Sequence, residues 1–145
     1  MEGGDGQTQV SGRIDVSGPQ LGETGGTVRV LGNEVSLIGS HIQASGDNGG
    51  GTVLIGGDFQ GQGIIPTASN TYFDIDSSIF ADATAYGNGG RVILWSEDTT
   101  QAYGRISARG GPFGGNGGFV ETSGKMYLNI TRPVDVSAPF GRSGE

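Results

Sequence analysis

The 145-residue chain reads as an all-β protein, a right-handed parallel β-helix of about five coils. Three observations predict this class. A segment of apolar–x–apolar pattern, followed by a Gly-Gly-x-Val corner, occurs four times and begins a fifth. The copies keep a nearly constant period. No window sustains a 3.6-residue apolar periodicity, so helices are not expected.

The first copy runs Arg13-Ile14-Asp15-Val16-Ser17-Gly18 and then Gly25-Gly26-Thr27-Val28-Arg29-Val30. The second is His41-Ile42-Gln43-Ala44-Ser45-Gly46 with Gly50-Gly51-Thr52-Val53-Leu54-Ile55. The third is Ser78-Ile79-Phe80-Ala81-Asp82-Ala83 with Gly89-Gly90-Arg91-Val92-Ile93-Leu94. The fourth is Arg105-Ile106-Ser107-Ala108-Arg109-Gly110 with Gly117-Gly118-Phe119-Val120-Glu121-Thr122, and a fifth opens at Val134-Asp135-Val136-Ser137-Ala138. The lead residues Ile14, Ile42, Ile79, Ile106 and Val134 are separated by 28, 37, 27 and 28 residues. Alternate strand residues point to opposite faces. Ile14 and Val16 therefore point one way and Asp15 the other, and stacked coils place the inward residues in aliphatic columns. Gly26, Gly51, Gly90 and Gly118 form the recurring corner, and Val28, Val53, Val92 and Val120 follow it inward. Candidates for a third strand in each coil are 34–38, 72–75, 100–103 and 126–130. An antiparallel sandwich also has many short strands, but it has no reason to repeat one corner at a fixed period.

The long interval contains an insertion, 56–72, within an otherwise single solenoid segment spanning 1–145. Phe59, Ile64 and Ile65 are expected to fold back over outward apolar residues such as Leu54 and Ile93. The functional alternative is a binding loop.

Composition narrows the function classes. Glycine supplies 31 residues and proline 5, which fits repeated corners and excludes collagen. Net charge is −7 with no Lys/Arg run, so nucleic acid is not an expected partner. Cysteine is absent, which excludes a disulfide framework and a thiolate metal site. No apolar stretch is long enough to span a bilayer as a helix. The start, Met1-Glu2-Gly3-Gly4-Asp5, has no signal-peptide pattern. The repeats favour a segment separated from its natural amino terminus, with strand edges at both ends available for end-to-end self-association into filaments.

The blocks Gly57-Asp58-Phe59-Gln60-Gly61, Asn88-Gly89-Gly90-Arg91-Val92-Ile93-Leu94-Trp95-Ser96, Ile106-Ser107-Ala108-Arg109-Gly110-Gly111 and Asn116 to Lys125 resemble repeats of large filamentous-haemagglutinin-like exoproteins, the two-partner secretion adhesin family. The resemblance covers roughly 25–138. It implies a right-handed parallel β-helix, export through a dedicated outer-membrane partner, and a secreted or cell-surface role in adhesion. The segment resembles the later repeat region rather than the amino-terminal secretion domain. The family supplies no catalytic residues and no cofactor, so a non-enzymatic role is expected.

Other residue groups carry weaker signals. Asp74-Ile75-Asp76 reads as two carboxylates on one strand face. With Asp58 or Asp82 they are candidates for a Ca²⁺ site or for an acid/base pair of a β-helical polysaccharide lyase or hydrolase. The only histidine, His41, can form neither a metal site nor a triad alone. The glycine cluster at 114–118 lacks the Lys-Ser/Thr ending of a phosphate loop. Trp95, Tyr103, Tyr72 and Phe73 are candidates for a ledge that stacks on a surface glycan; the alternative is that they seal a corner. Asn129-Ile130-Thr131 is a glycosylation sequon of low specificity.

Overall fold

The computed structural model describes residues 6–145, so the acidic start at 1–5 lies outside the described residues. Eleven strands follow in order: β1 Gln7–Asp15, β2 Thr27–Val30, β3 Glu34–Gln43, β4 Thr52–Ile55, β5 Asn70–Phe73, β6 Ser78–Phe80, β7 Arg91–Ser96, β8 Thr99–Ala102, β9 Arg105–Ser107, β10 Phe119–Gly124 and β11 Tyr127–Ile130. All strand pairs are parallel. The chain is a parallel β-solenoid with three faces per turn. Among the described residues no helix is long and apolar enough to cross a membrane.

The first face stacks the leading halves of β1 and β3 with β5, β8 and β11. The second stacks the trailing halves of β1 and β3 with β6 and β9, and ends on the single bridge from Ser107 to Asp135. The third stacks β2, β4, β7 and β10. The solenoid has about four turns rather than five, because the third face contains only four strands. The fifth level is represented by β11 and the Asp135 bridge.

The expected columns are in register. Ile14, Ile42, Ile79 and Ile106 lie directly over one another, as do Val28, Val53, Val92 and Val120. Ile42 and Ile79, 37 residues apart, still pair directly. The extra residues are therefore expelled sideways and the stack is not interrupted. They occupy 56–69; Asn70, Thr71 and Tyr72 belong to β5, so the insertion ends earlier than the sequence indicated.

Two features could not be read from hydrophobic pattern. The leading half of β1 carries a polar inward residue, Thr8, which heads a column with Val35, Thr71 and Thr100. Buried hydroxyls must be hydrogen-bonded. Here Thr8 donates to the Leu31 carbonyl at 2.8 Å, Thr71 to Trp95 at 2.8 Å and Thr100 to Ser123 at 2.7 Å, which ties the first face to the third. In the next column Leu37 and Phe73 are followed by the small Ala102. Gly104 makes room for the Phe73 ring; a Cβ there would lie 2.6 Å from it. The corner glycines are needed for close approach: a Cβ on Gly50 would lie 1.9 Å from the Ala81 carbonyl oxygen of the next coil.

Candidate functional site

The outer surface carries the groups capable of recognition, and the structure redistributes those singled out in the sequence. On the third face the outward column is Arg29, Leu54, Ile93, Glu121. Leu54 and Ile93 are buried although they point away from the core. The insertion covers them. Its short 3₁₀ turn, Phe59–Gly61, is capped by the Asp58 carboxylate, which accepts from the Phe59 N–H at 2.6 Å. Phe59 meets Phe119 edge-on at 5.5 Å. The Arg91 guanidinium lies 5.5 Å from the Phe59 ring centroid and 5.2 Å from that of Phe119, and pairs with Asp58 at 3.4 Å. Gln60 N–H donates to Glu121 at 3.1 Å. Phe59 thus folds back as expected, whereas Ile64 at the tip is fully exposed.

Trp95 belongs to this clasp. Gly57 and Gly61 pack so closely on its indole that a Cβ on either would come within 3.0 Å of the ring. Its Nε1 is buried and has no hydrogen-bond partner. Trp95 therefore seals a corner and is not part of an open ledge with Tyr103. Phe73 is wholly buried in the core. Of the four aromatics only Tyr72 and Tyr103 come together, on the first face, edge-to-face at 5.9 Å. The Tyr103 hydroxyl accepts from Gln101 at 3.1 Å and from Asn129 at 3.2 Å. Ile75 and Thr131 complete this shallow depression. Asn129 and Ile75 were not among the sequence candidates for it.

Asp74 and Asp76 lie in the turn between β5 and β6, not on a strand face. The Asp74 carboxylate accepts from the Gly39 N–H at 3.1 Å and the Ser77 hydroxyl at 2.6 Å, so it anchors the corner between successive coils. Asp58 is held by Arg91. Asp82 is buried and accepts from Ser107 Oγ, from the Arg109 N–H at 2.7 Å and from its guanidinium at 3.3 Å. Asp58, Asp74 and Asp82 are thus each engaged locally. Among the described residues no group of three or more His, Cys, Asp or Glu could hold a metal ion. His41 Nδ1 lies 2.8 Å from Ser78 Oγ on the exposed second face.

Three carboxylates sit below the usual range. The Ser17 side chain and backbone, with Arg13, hold Asp15 down. The Ser137 hydroxyl leads for Asp135, and the hydrogen bond from Lys125 leads for Glu97. The Asp15 and Asp135 turns are the same local device at the two ends of the second face: an Asp-x-Ser segment whose carboxylate accepts the N–H two residues on.

The fold and its outer surfaces define a three-faced parallel β-solenoid. No protein-family model matches the chain, and no curated protein matches it. A solved structure does: the HMW1 secretion domain from Haemophilus influenzae, with a TM-score of 0.79 and 30% sequence identity. The match covers 99% of this chain and 38% of that one. This chain therefore spans well under half of that domain, and resembles a part of such a protein that the sequence reading had set aside in favour of later repeats.

Proposed function

We propose that the chain is a structural and adhesive segment of a secreted bacterial surface protein of the filamentous-haemagglutinin type, exported with an outer-membrane partner. The observation that carries this reading is the 30% identity, sustained over almost the whole chain, to a solved secretion domain of the same solenoid architecture. Continuous ladders and filled columns make a stiff rod from short repeats, and a rod suits projection from a surface. The role is non-catalytic: Asp74, one of the two carboxylates offered for the lyase or hydrolase alternative, is committed to a corner. An antibody raised against the chain should label intact cells of the source organism and detect the parent protein in the medium. Labelling only after permeabilisation would overturn the reading.

A second reading, carbohydrate binding, is supported by the Tyr72–Tyr103 pair with its amide neighbours Gln101 and Asn129. On a glycan array it requires binding that Tyr103→Ala removes and Trp95→Ala does not. An array on which the chain binds nothing excludes it.

A further inference from the structure

The loops joining the second face to the third carry a repeat that the core does not explain. Ala85-Tyr86-Gly87-Asn88, Pro112-Phe113-Gly114-Gly115-Asn116 and Pro139-Phe140-Gly141-Arg142 place an aromatic residue followed by glycine at 86, 113 and 140, 27 residues apart each time. In the first coil Leu21-Gly22 occupies the matching loop. A side chain that recurs at the solenoid period is expected to point inward. These do not: Tyr86 is 58% exposed, Phe113 66% and Phe140 76%.

The loops are stacked coil on coil, with Phe113 offset by one residue from the ring positions of the loops on either side. Tyr86 bridges Gly114 in parallel, Phe113 N–H donates to the Ala85 carbonyl at 3.0 Å, and the first two rings lie 5.7 Å apart. Gly141 packs on the Gly115 carbonyl, which sets the Phe140 loop on that of Phe113. Beside the rings runs an asparagine ladder. Asn88 Oδ1 accepts the Asn116 N–H at 2.9 Å, and Asn116 Oδ1 accepts the Arg142 N–H at 3.0 Å. Each asparagine uses its oxygen on the next coil, and its amide nitrogen donates to no described residue. The three loops contain no acidic residue, in a chain of net charge −7.

We infer that this vertex is a binding strip for an uncharged, extended, β-linked polysaccharide lying along the solenoid axis. Three successive coils each present one ring, at Tyr86, Phe113 and Phe140, suited to the C–H face of a sugar, and the asparagine coils add an amide donor suited to its hydroxyls. Coils advance by about 4.8 Å, close to the advance per sugar of an extended chain, so successive rings meet successive sugars. The three ring-bearing loops themselves carry no carboxylate, which fits a neutral polymer, and Asp47 in the loop of the preceding coil is engaged by the Gly22 N–H at 2.9 Å. The inference does not depend on the secretion reading, and it is distinct from the Tyr72–Tyr103 depression on the first face.

The test is calorimetric titration of the full chain with cellohexaose, xylohexaose and chitohexaose, with the coiled isomer maltohexaose as control. At least one extended hexamer should bind and maltohexaose should not. Phe113→Ala should weaken binding at least tenfold, Tyr86→Ala should weaken it less, and Ile64→Ala, at the exposed tip of the insertion, should leave it unchanged. Since these rings are exposed, circular dichroism of the variants should match the parent. Failure of all three extended hexamers to bind, or equal binding by Phe113→Ala, overturns the inference. So does sedimentation showing that the chain self-associates without sugar and that Phe113→Ala abolishes this, because the ladder would then be an interface between copies.

Discussion

Val92 and Ile93 are neighbours in β7, point to opposite sides of the sheet, and are equally inaccessible to solvent. They are buried by different means. Val92 sits in a column with Val53 above and Val120 below, each supplied by another coil. Ile93 sits in the outward column Arg29, Leu54, Ile93, Glu121, whose ends are charged and whose middle is apolar. The change of residue type marks where the insertion lies. Repetition buries the inner column from Val28 to Val92 and leaves only its last member, Val120, partly exposed, whereas the insertion buries the outer column only where Phe59, Gly57 and Gly61 reach.

The two modes of burial should fail differently, and a charge gives the largest contrast. Val92→Asp puts a carboxylate among aliphatic groups that cannot withdraw, at a cost of several kcal/mol. That is comparable with the whole stability of a typical domain. No cooperative thermal transition is expected for this variant. Ile93→Asp should lift the clasp and retain a cooperative transition at a lower Tm, with new protease cleavage between 57 and 67. Equal loss of folding in both variants would mean that the clasp is as integral as the core.

The same contrast explains what was legible in the sequence. The inner columns were, because parallel stacking forces one residue type to recur at one period; Ile14, Ile42, Ile79 and Ile106 pair as the spacing requires. The leading half of β1 was not, since Thr8 is satisfied by a carbonyl across the coil and leaves no apolar signature. Trp95 was open to two readings, ledge or corner seal, because the cover that decides between them comes from a non-repeating loop, and the position of Asp74 was hidden because the β5–β6 turn has no glycine or proline to announce it. Of the four candidate glycan contacts Tyr72 and Tyr103 line one surface depression, and the Tyr103 partner Asn129 comes from the next coil, 26 residues on.

A cavity experiment isolates the clasp. Ile93→Ala should cost about 2–4 kcal/mol in the intact chain, the range for truncating a buried aliphatic residue. In a chain whose residues 57–67 are replaced by a short Gly-Ser turn, Ile93 is already exposed. There the same substitution should cost less than about 0.5 kcal/mol, as for an ordinary surface change. Denaturant titration of the four proteins closes the cycle. Matching costs in both backgrounds would show that the loop is not what shields Ile93.

The smallest effect belongs to the exposed terminal turns of the second face, which rely on Asp15 and Asp135. Both carboxylates lie below their ordinary range because they accept from Ser17 and Ser137. A folded-state pKa lowered in this way contributes stability above the unfolded carboxylate pKa of about 4, and that contribution is lost as pH falls through the lower folded value. Asp135→Asn should therefore lower Tm at pH 7 only slightly, on the order of 1 °C for so exposed a group. The difference should shrink below pH 4 and vanish once both states of the parent are protonated. A gap that widened as pH fell would mean that the carboxylate is strained rather than stabilised, and would remove the Asp-x-Ser turns from the list of devices that hold the coil ends.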